Sequence, residues 1–325
     1  MDHAAQSVAR YRIYIMLSRL YLNGLTADLL PYVEEIPELA SAAAQPFDAD
    51  EAAAAHYGIF AHNIFPYESI FRDPSGLLGG KYSEQVNTTY KRASVQINAD
   101  QDHIGHELAF LASLCNAESK ALDNEEIEAA RVIAKRQAVF LREHLLEWLS
   151  PFVTALSFSG QPFYEALGQL SQELIYDHLL TFAEEGSANS YGGPLEENDT
   201  EIGDILRDGK TGLKQIASFL ITPPYSGFFI GHSTISQFAR KRQLPRGFGN
   251  RQQMLSNLLH SAAQYDLISD LFQDLAEHAG AWAKCYERQI FDYPELETWI
   301  RPWLERIDNT ARALSEMRSL SIAAL

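Results

Sequence analysis

Apolar residues recur along nearly the whole chain at spacings of three and four, whereas the alternation expected of a half-buried strand is short and rare. That regularity favours helices, because a strand buries one face only when every second residue is apolar. From Ala130 onward, Ala130, Ile133, Ala134, Leu141, Leu145 and Trp148 form one stripe, and Pro151 is expected to end that helix. The next helix starts near Pro162 and aligns Phe163, Leu167, Leu170, Leu174 and Phe182, before Glu184, Glu185, Gly186 and Ser187 stop it. The expected fold class is all-α.

From 186 to 200 the chain is rich in Gly, Ser, Asn and Glu, including Gly192, Gly193 and Pro194, a composition suited to a solvated linker. The expected organisation is a helical domain over 1–186, a linker over 187–200 and a helical C-terminal extension over 201–325. The extension reads as a helix around 201–220, a Pro223-Pro224 break, a turn-rich patch from Tyr225 to Gly231, and further helices capped by Ser233, Asn250 and Asp266. At 325 residues and 46% apolar, the chain is long enough for one large core or two ordinary ones. No apolar run approaches the roughly 18 residues of a membrane span. Asp2, Arg10, Arg12 and Arg19 also interrupt the first apolar stretch, so a soluble protein of the cytoplasm is expected. Cys115 and Cys285 are far apart and lack a CxxC partner, which suits buried thiols and no structural zinc.

The formal charge of −17 disfavours nucleic acid as a partner, since a phosphate backbone is bound through excess Lys and Arg. The charge is uneven. Residues 1–186 carry 26 acids against 12 bases, a net of −14, and residues 187–325 carry 17 against 14, a net of −3. Between Asp208 and Asp266 there is no acid, while Lys210, Lys214, Arg240, Lys241, Arg242, Arg246 and Arg251 supply seven positive charges. Two readings follow for Arg240, Lys241, Arg242, Arg246 and Arg251: docking onto the acidic first domain, which we favour, or a cleft that holds an anion such as a cofactor diphosphate.

Three clusters carry chemistry. In Asp102-His103-Ile104-Gly105-His106-Glu107-Leu108, the stripe Ile104, Leu108, Leu111 and Cys115 marks a helix with Asp102 at its N-cap. His103 and Glu107 lie together beside that stripe, and His106 points away. The order HxxHE is not the HExxH of zinc hydrolases, in which the general-base Glu lies between two imidazoles of one face. The triplet Gly209-Lys210-Thr211 ends like a phosphate loop but lacks the upstream glycine and strand. In Phe65-Pro66-Tyr67-Glu68-Ser69-Ile70-Phe71, Glu68 sits among large apolar residues, so it must meet a buried partner or line a groove.

In this order the clusters resemble the TorD/DmsD/NarJ family of maturation chaperones for molybdenum-cofactor oxidoreductases. Pro66-Tyr67-Glu68-Ser69-Ile70-Phe71 is similar to the family's P-x-E-S-hydrophobic-aromatic segment, and Val86 with Tyr90 to the helix that follows it. Asp102-His103-Ile104 with Glu107-Leu108 and Phe110-Leu111 resembles its D-H-[IL]-x-x-E-L-x-F-[LM] signature. Phe140, His144-Leu145, Trp148 and Phe152, then Phe163-Tyr164, resemble its F-x-x-x-H-L-x-x-W helix and the aromatic start of the next. The resemblance covers about residues 10–185. Gln101 stands where the family commonly has Pro, and Ser94 where it commonly has Gly.

The resemblance implies an all-helical bundle with no catalytic activity and no resident cofactor. It implies a cytoplasmic chaperone that binds the signal peptide or N-terminus of a DMSO-reductase-type molybdoenzyme catalytic subunit, and touches its molybdopterin at most transiently. A twin-arginine signal peptide pairs cations with an apolar segment, which an acidic domain with an aromatic groove complements. Tyr67, Glu68, Phe71, Tyr90, Asp102, His103 and Glu107 are then the candidate recognition surface or its immediate support. The alternative is an all-helical metal-dependent enzyme using His103, His106 and Glu107.

Overall fold

The computed structural model describes residues 3–184 and 211–323. The expected linker at 187–200, the pair Gly209-Lys210 and the start of the helix expected around 201–220 lie outside the described residues. Every regular element among them is helical, and the one extended pairing is an isolated antiparallel bridge between Tyr67 and His103. The elements are α1 (His3–Asn23), α2 (Leu30–Glu34), α3 (Pro37–Ala42), α4 (Ala49–Phe60), α5 (Glu68–Arg72), α6 (Lys81–Arg92), α7 (Ile104–Asp123) and α8 (Ile127–Phe140). A π-helical turn (Leu141–Leu145) leads into α9 (Leu146–Ser157) and α10 (Pro162–Glu184). Then come α11 (Leu213–Leu220), α12 (Pro223–Ser226), α13 (His232–Lys241), α14 (Arg251–Gln264), α15 (Ile268–Asp292), a 3-10 turn (Pro294–Leu296) and α16 (Glu297–Ala323).

The chain forms two compact units. The first comprises Met1–Ser69, Leu77–Leu149 and Leu156–Gly192, and the second Ile70–Gly76, Ser150–Ala155 and Gly193–Leu325. In the first, α1 and α7 pack through Leu17, Leu20, Leu108 and Leu111, all fully buried. Gly105 permits the approach: a Cβ there would stand 2.5 Å from Leu22 Cγ and 3.0 Å from the Ser18 carbonyl oxygen.

The buried stripe of α10 is Tyr164, Leu167, Ser171, Ile175, His178 and Phe182, rotated from the expected one that ran through Phe163, Leu170 and Leu174. Two of its positions are polar, because α1 answers them: Tyr21 Oη meets Ser171 Oγ at 3.0 Å, and Tyr14 Oη meets His178 Nδ1 at 3.0 Å. An apolar-period reading cannot see polar residues that are buried with a partner.

The helix expected to end at Pro151 instead runs to Ser157. Proline inside a helix costs about 3 kcal/mol through the lost N–H and its ring clash. Trp148, Leu149, Phe152 and Leu156 are all fully buried, and at about 1.5–3 kcal/mol for each large apolar side chain their burial outweighs that cost.

In the second unit α15 and α16 form a long antiparallel pair whose core holds Trp282, Tyr286, Ile300, Trp303 and Ile307. Asn250 caps α14 as expected, accepting the Gln253 N–H at 2.9 Å. The other expected caps are displaced: α13 starts behind Gly231 rather than Ser233, and α15 behind Leu267, with Asp266 in the left-handed turn before it at φ 57°. Gly227 ends α12 at φ 82°, and its carbonyl accepts the Tyr286 hydroxyl at 3.1 Å. His278 is half-buried beside Phe228, Phe238 and Trp282, and desolvation pushes its imidazole down to about 4.

Two predictions follow from this packing. A Cβ at Gly227 would stand 2.7 Å from Ile307 N and Trp303 O, whereas one at Gly280 would meet nothing within 4 Å. Gly227→Ala should therefore destabilise the fold by on the order of 3 kcal/mol or more. Gly280→Ala, inside α15, should stabilise it by about 0.5–1 kcal/mol. Urea melts of the two variants check the opposite signs. For His278, the unfolded chain binds a proton near pH 6.5 that the fold refuses until about pH 4. Its contribution is intact above pH ~6.5 and is lost as pH falls toward 4, at no more than about 1.4 kcal/mol per pH unit. In tryptophan-fluorescence melts, His278→Gln should flatten the fall of stability across that window; an unchanged slope would refute the assignment.

Candidate functional site

The two signature segments meet. Residues 66–69 and 102–104 run antiparallel for one bridge, with the Glu68 N–H donating to the Asp102 carbonyl at 2.9 Å and the Ile104 N–H to the Pro66 carbonyl at 2.9 Å. The carboxylate of Asp102 accepts the Ser69 N–H at 3.0 Å, so it caps the first turn of α5, an element of only five residues. Asp102 was expected to cap its own helix, α7. His103 does so instead: it is the last extended residue (φ −75°, ψ 131°), and its Nδ1 accepts the Gly105 N–H at 3.0 Å. That bond requires a neutral ring with the proton on Nε2. Burial, with His106 and His56 nearby, holds the ring neutral by lowering its pKa to about 3.

Glu68 is fully buried and has the partner its surroundings demanded, His144, whose Nδ1 lies 3.2 Å from Oε2. The other ring nitrogen of His144 lies 3.2 Å from Thr89 Oγ1. His144 stands in the π-helical turn between α8 and α9, an element type that recurs at functional sites. Tyr90 Oη donates to the Gln101 carbonyl at 2.9 Å. Burial, and then the charges of Glu107, Glu68 and Asp102, raise the Tyr90 pKa well above its usual value. Glu107 is fully buried in the first turn of α7.

Both departures from the family's pattern have a local account. Gln101 braces its loop by donating from Nε2 to the Ile97 carbonyl at 3.1 Å, and it accepts Ser83 Oγ at 3.3 Å. Ser94 follows α6 at φ 60°, the left-handed position that favours glycine, and the next N–H, of Val95, returns to the Tyr90 carbonyl at 2.9 Å.

Of the seven candidate residues, Tyr67, Glu68, Tyr90, Asp102, His103 and Glu107 gather in the first unit, and all but Tyr67 are buried. Tyr67 is half-buried and sets its ring edge-on to His103 at 5.0 Å; burial, then Asp100 and Asp102, raise its pKa. Phe71 belongs to the second unit, stacked on Phe229 at 5.3 Å and edge-on to Phe152 at 5.9 Å. Sequence reasoning did not single out His144 and Thr89 as site residues. The signal available was the lone carboxylate of Glu68 in apolar surroundings, matched by a histidine on an apolar stripe.

The metal alternative finds no geometric support. Among the described residues no group of three or more His, Cys, Asp or Glu side chains is placed to hold a metal ion, and His103 Nδ1 is spent on its cap. The five cations divide. Arg242 grips Asp274 through Nε at 2.6 Å and a terminal nitrogen at 2.7 Å and also pairs with Asp270 at 3.3 Å. Lys241 pairs with Asp274 at 2.7 Å and Glu277 at 3.5 Å. Their charge is thus answered within their own unit. Arg251 is buried over Phe229, 4.3 Å from the ring centre, with bonds to the Ile230 and Ile221 carbonyls at 3.2 Å and 3.4 Å; burial lowers its pKa to about 10. Arg240 and Arg246 are exposed.

No described helix is long and apolar enough to cross a membrane. A family model described as nitrate reductase delta subunit matches residues 26–154, which include both signature segments and His144. The chaperone protein TorD of Photobacterium profundum is 29% identical over 156 residues, 45% of this chain and 71% of that protein. The chaperone protein TorD of Vibrio cholerae serotype O1 is 28% identical over 183 residues, 52% of this chain and 80% of that protein. That of Vibrio vulnificus is 29% identical over 145 residues, 41% of this chain and 66% of that protein. Over about half its length the chain is therefore similar to the TorD chaperones, and the resemblance carried by its motifs is borne out.

Proposed function

We propose that this chain is a non-enzymatic cytoplasmic maturation chaperone. It binds the signal peptide or N-terminal segment of a DMSO-reductase-type molybdoenzyme catalytic subunit and assists cofactor loading before export or assembly. The observation that carries this reading is the clamp between residues 66–69 and 102–104, which joins the two motifs of the family resemblance inside the matched segment. The net charge of −14 on residues 1–186 favours a basic peptide and speeds its encounter.

On this reading Tyr67 touches the client, and Glu68, Tyr90, Asp102, His103 and Glu107 hold it in place from beneath. Phe71 keeps the end of α5 fixed within the second unit. The extension over 187–325 selects the client, with Arg240 and Arg246 free to meet acidic groups on it or on its cofactor.

Affinity capture from the native cytoplasm should recover a molybdopterin-dependent catalytic subunit, and deletion of that subunit's N-terminal segment should abolish the recovery. Capture that survives the deletion would count against N-terminal recognition. Contact and support separate by stability. Tyr67→Ala should weaken binding of the client's N-terminal peptide roughly tenfold, the scale of a truncated aromatic contact, with the melting temperature nearly unchanged. Asp102→Ala leaves the buried Ser69 N–H without its acceptor and should cost about 1–3 kcal/mol of fold stability along with affinity. If Asp102→Ala lost affinity at full stability, Asp102 would be a contact rather than a support.

A further inference from the structure

The first unit holds a second recess outside the clamp. Leu25, Ala43, Ala52, Ala55, Phe163 and Tyr164 line an apolar pocket of about 210 Å³, and Asp48 and Glu51 stand among its lining residues. Its volume follows from residue size: α4 presents alanine at 52 and 55, and α3 and the turn after it present alanine at 42, 43 and 44, where longer side chains would close the space. A cavity of about 150 Å³ accepts a benzene-sized group, so this one admits a leucine or phenylalanine side chain.

The pocket is linked to the clamp through α4. His56, whose proximity helps keep His103 neutral, lies on α4 four residues beyond Ala52, about 6 Å along the axis at 1.5 Å per residue. Tyr164 joins the same chain of contacts, 6.2 Å from His56 and 5.2 Å from Phe60 between ring centres. Phe163-Tyr164 is a sequence feature that the clamp leaves without a role.

The charge at the pocket specifies its occupant. Asp48 and Glu51 are exposed, as is Asp50 between them, and Asp48 uses Oδ1 to accept the Glu51 N–H at 2.9 Å. Among the described residues no Lys or Arg lines the pocket. We propose that this pocket takes one large apolar side chain of a peptide segment that carries cationic residues beside it, so that the apolar group fills the recess and the cations meet Asp48 and Glu51. The occupant rests on the proposed function, whose client segment has that chemistry; the place does not follow from it.

The probe is a fluorescein-labelled synthetic peptide of two arginines followed by a leucine-rich segment, read by fluorescence anisotropy with the full chain. Ala52→Trp, which fills the pocket, should weaken binding roughly 10- to 100-fold, the equivalent of losing one buried large apolar side chain. Glu51→Gln, at an exposed site, should weaken it roughly two- to fivefold and reduce its salt dependence. A probe with serines in place of the leucines should bind wild type and Ala52→Trp alike. Should Ala52→Trp disturb the melt, Glu51→Gln still decides, together with the wild-type chain's affinity for the serine probe, which should fall below that for the leucine probe. Wild-type binding that neither variant changes overturns the pocket while leaving the chaperone reading intact. No binding by the wild-type chain overturns that reading and the occupant with it.

Discussion

Two carboxylates without access to water, Glu68 and Asp102, govern the arrangement of the first unit. A buried charge is tolerable only where fixed dipoles or a proton-bearing partner answer it. Asp102 is answered by the first turn of α5, and Glu68 by His144. These answers hold segments far apart in sequence together. Five residues cannot sustain a helix alone, so α5 exists because Asp102 and the bridge to residues 102–104 stabilise its N-terminus. The helix in turn fixes the backbone of Glu68, and Glu68 fixes the ring of His144 in the π-helical turn. Removing Asp102 takes the side-chain acceptor from the Ser69 N–H, and removing His144 takes one hydrogen-bonding partner from Glu68, so a change at either position is felt by a buried polar group of another segment.

The same logic explains what could be read from the sequence. The helical class was legible because most buried positions are apolar and recur at helical spacing. The two motifs were legible as residues, and the demand for a partner at Glu68 followed from its neighbours. The identity of that partner was not, because His144 lies 76 residues away on a stripe that otherwise reads as core. The cap of α7 was misplaced by one residue for a related reason. Asp is the better cap in isolation, but the tertiary clamp claims Asp102 for α5 and leaves the role to His103, which only a neutral imidazole can fill. In α10 the face was misjudged because Ser171 and His178 are buried against tyrosines of α1, a pairing with no local signature.

The cationic stretch illustrates the limit of charge counting. An acid-free run beside an acidic domain invites a docking reading, yet the acids that answer Lys241 and Arg242 are Asp270, Asp274 and Glu277, on α15 of the same unit. Their spacing of four and three places them on one helical face, so the complementary charge is a property of that face and not of the region's net charge. Asp274 is nearly fully buried, so its pairing with a bidentate guanidinium orients α13 on α15.

These features divide the labour between rigidity and recognition. Buried, mutually satisfied polar groups fix geometry, but they have little left to offer a ligand, because their hydrogen-bonding capacity is already spent. The surfaces that water still reaches lie elsewhere: the edge of the half-buried Tyr67, the recess bordered by Ala52 and Tyr164, and the exposed Glu51 at its rim. In this chain α4 relates the two kinds of surface: its His56 is near enough to help lower the pKa of the clamp residue His103, and its preceding turns line the pocket. A rigid support beneath a shallow apolar site lowers the ordering cost of binding without narrowing which side chains fit.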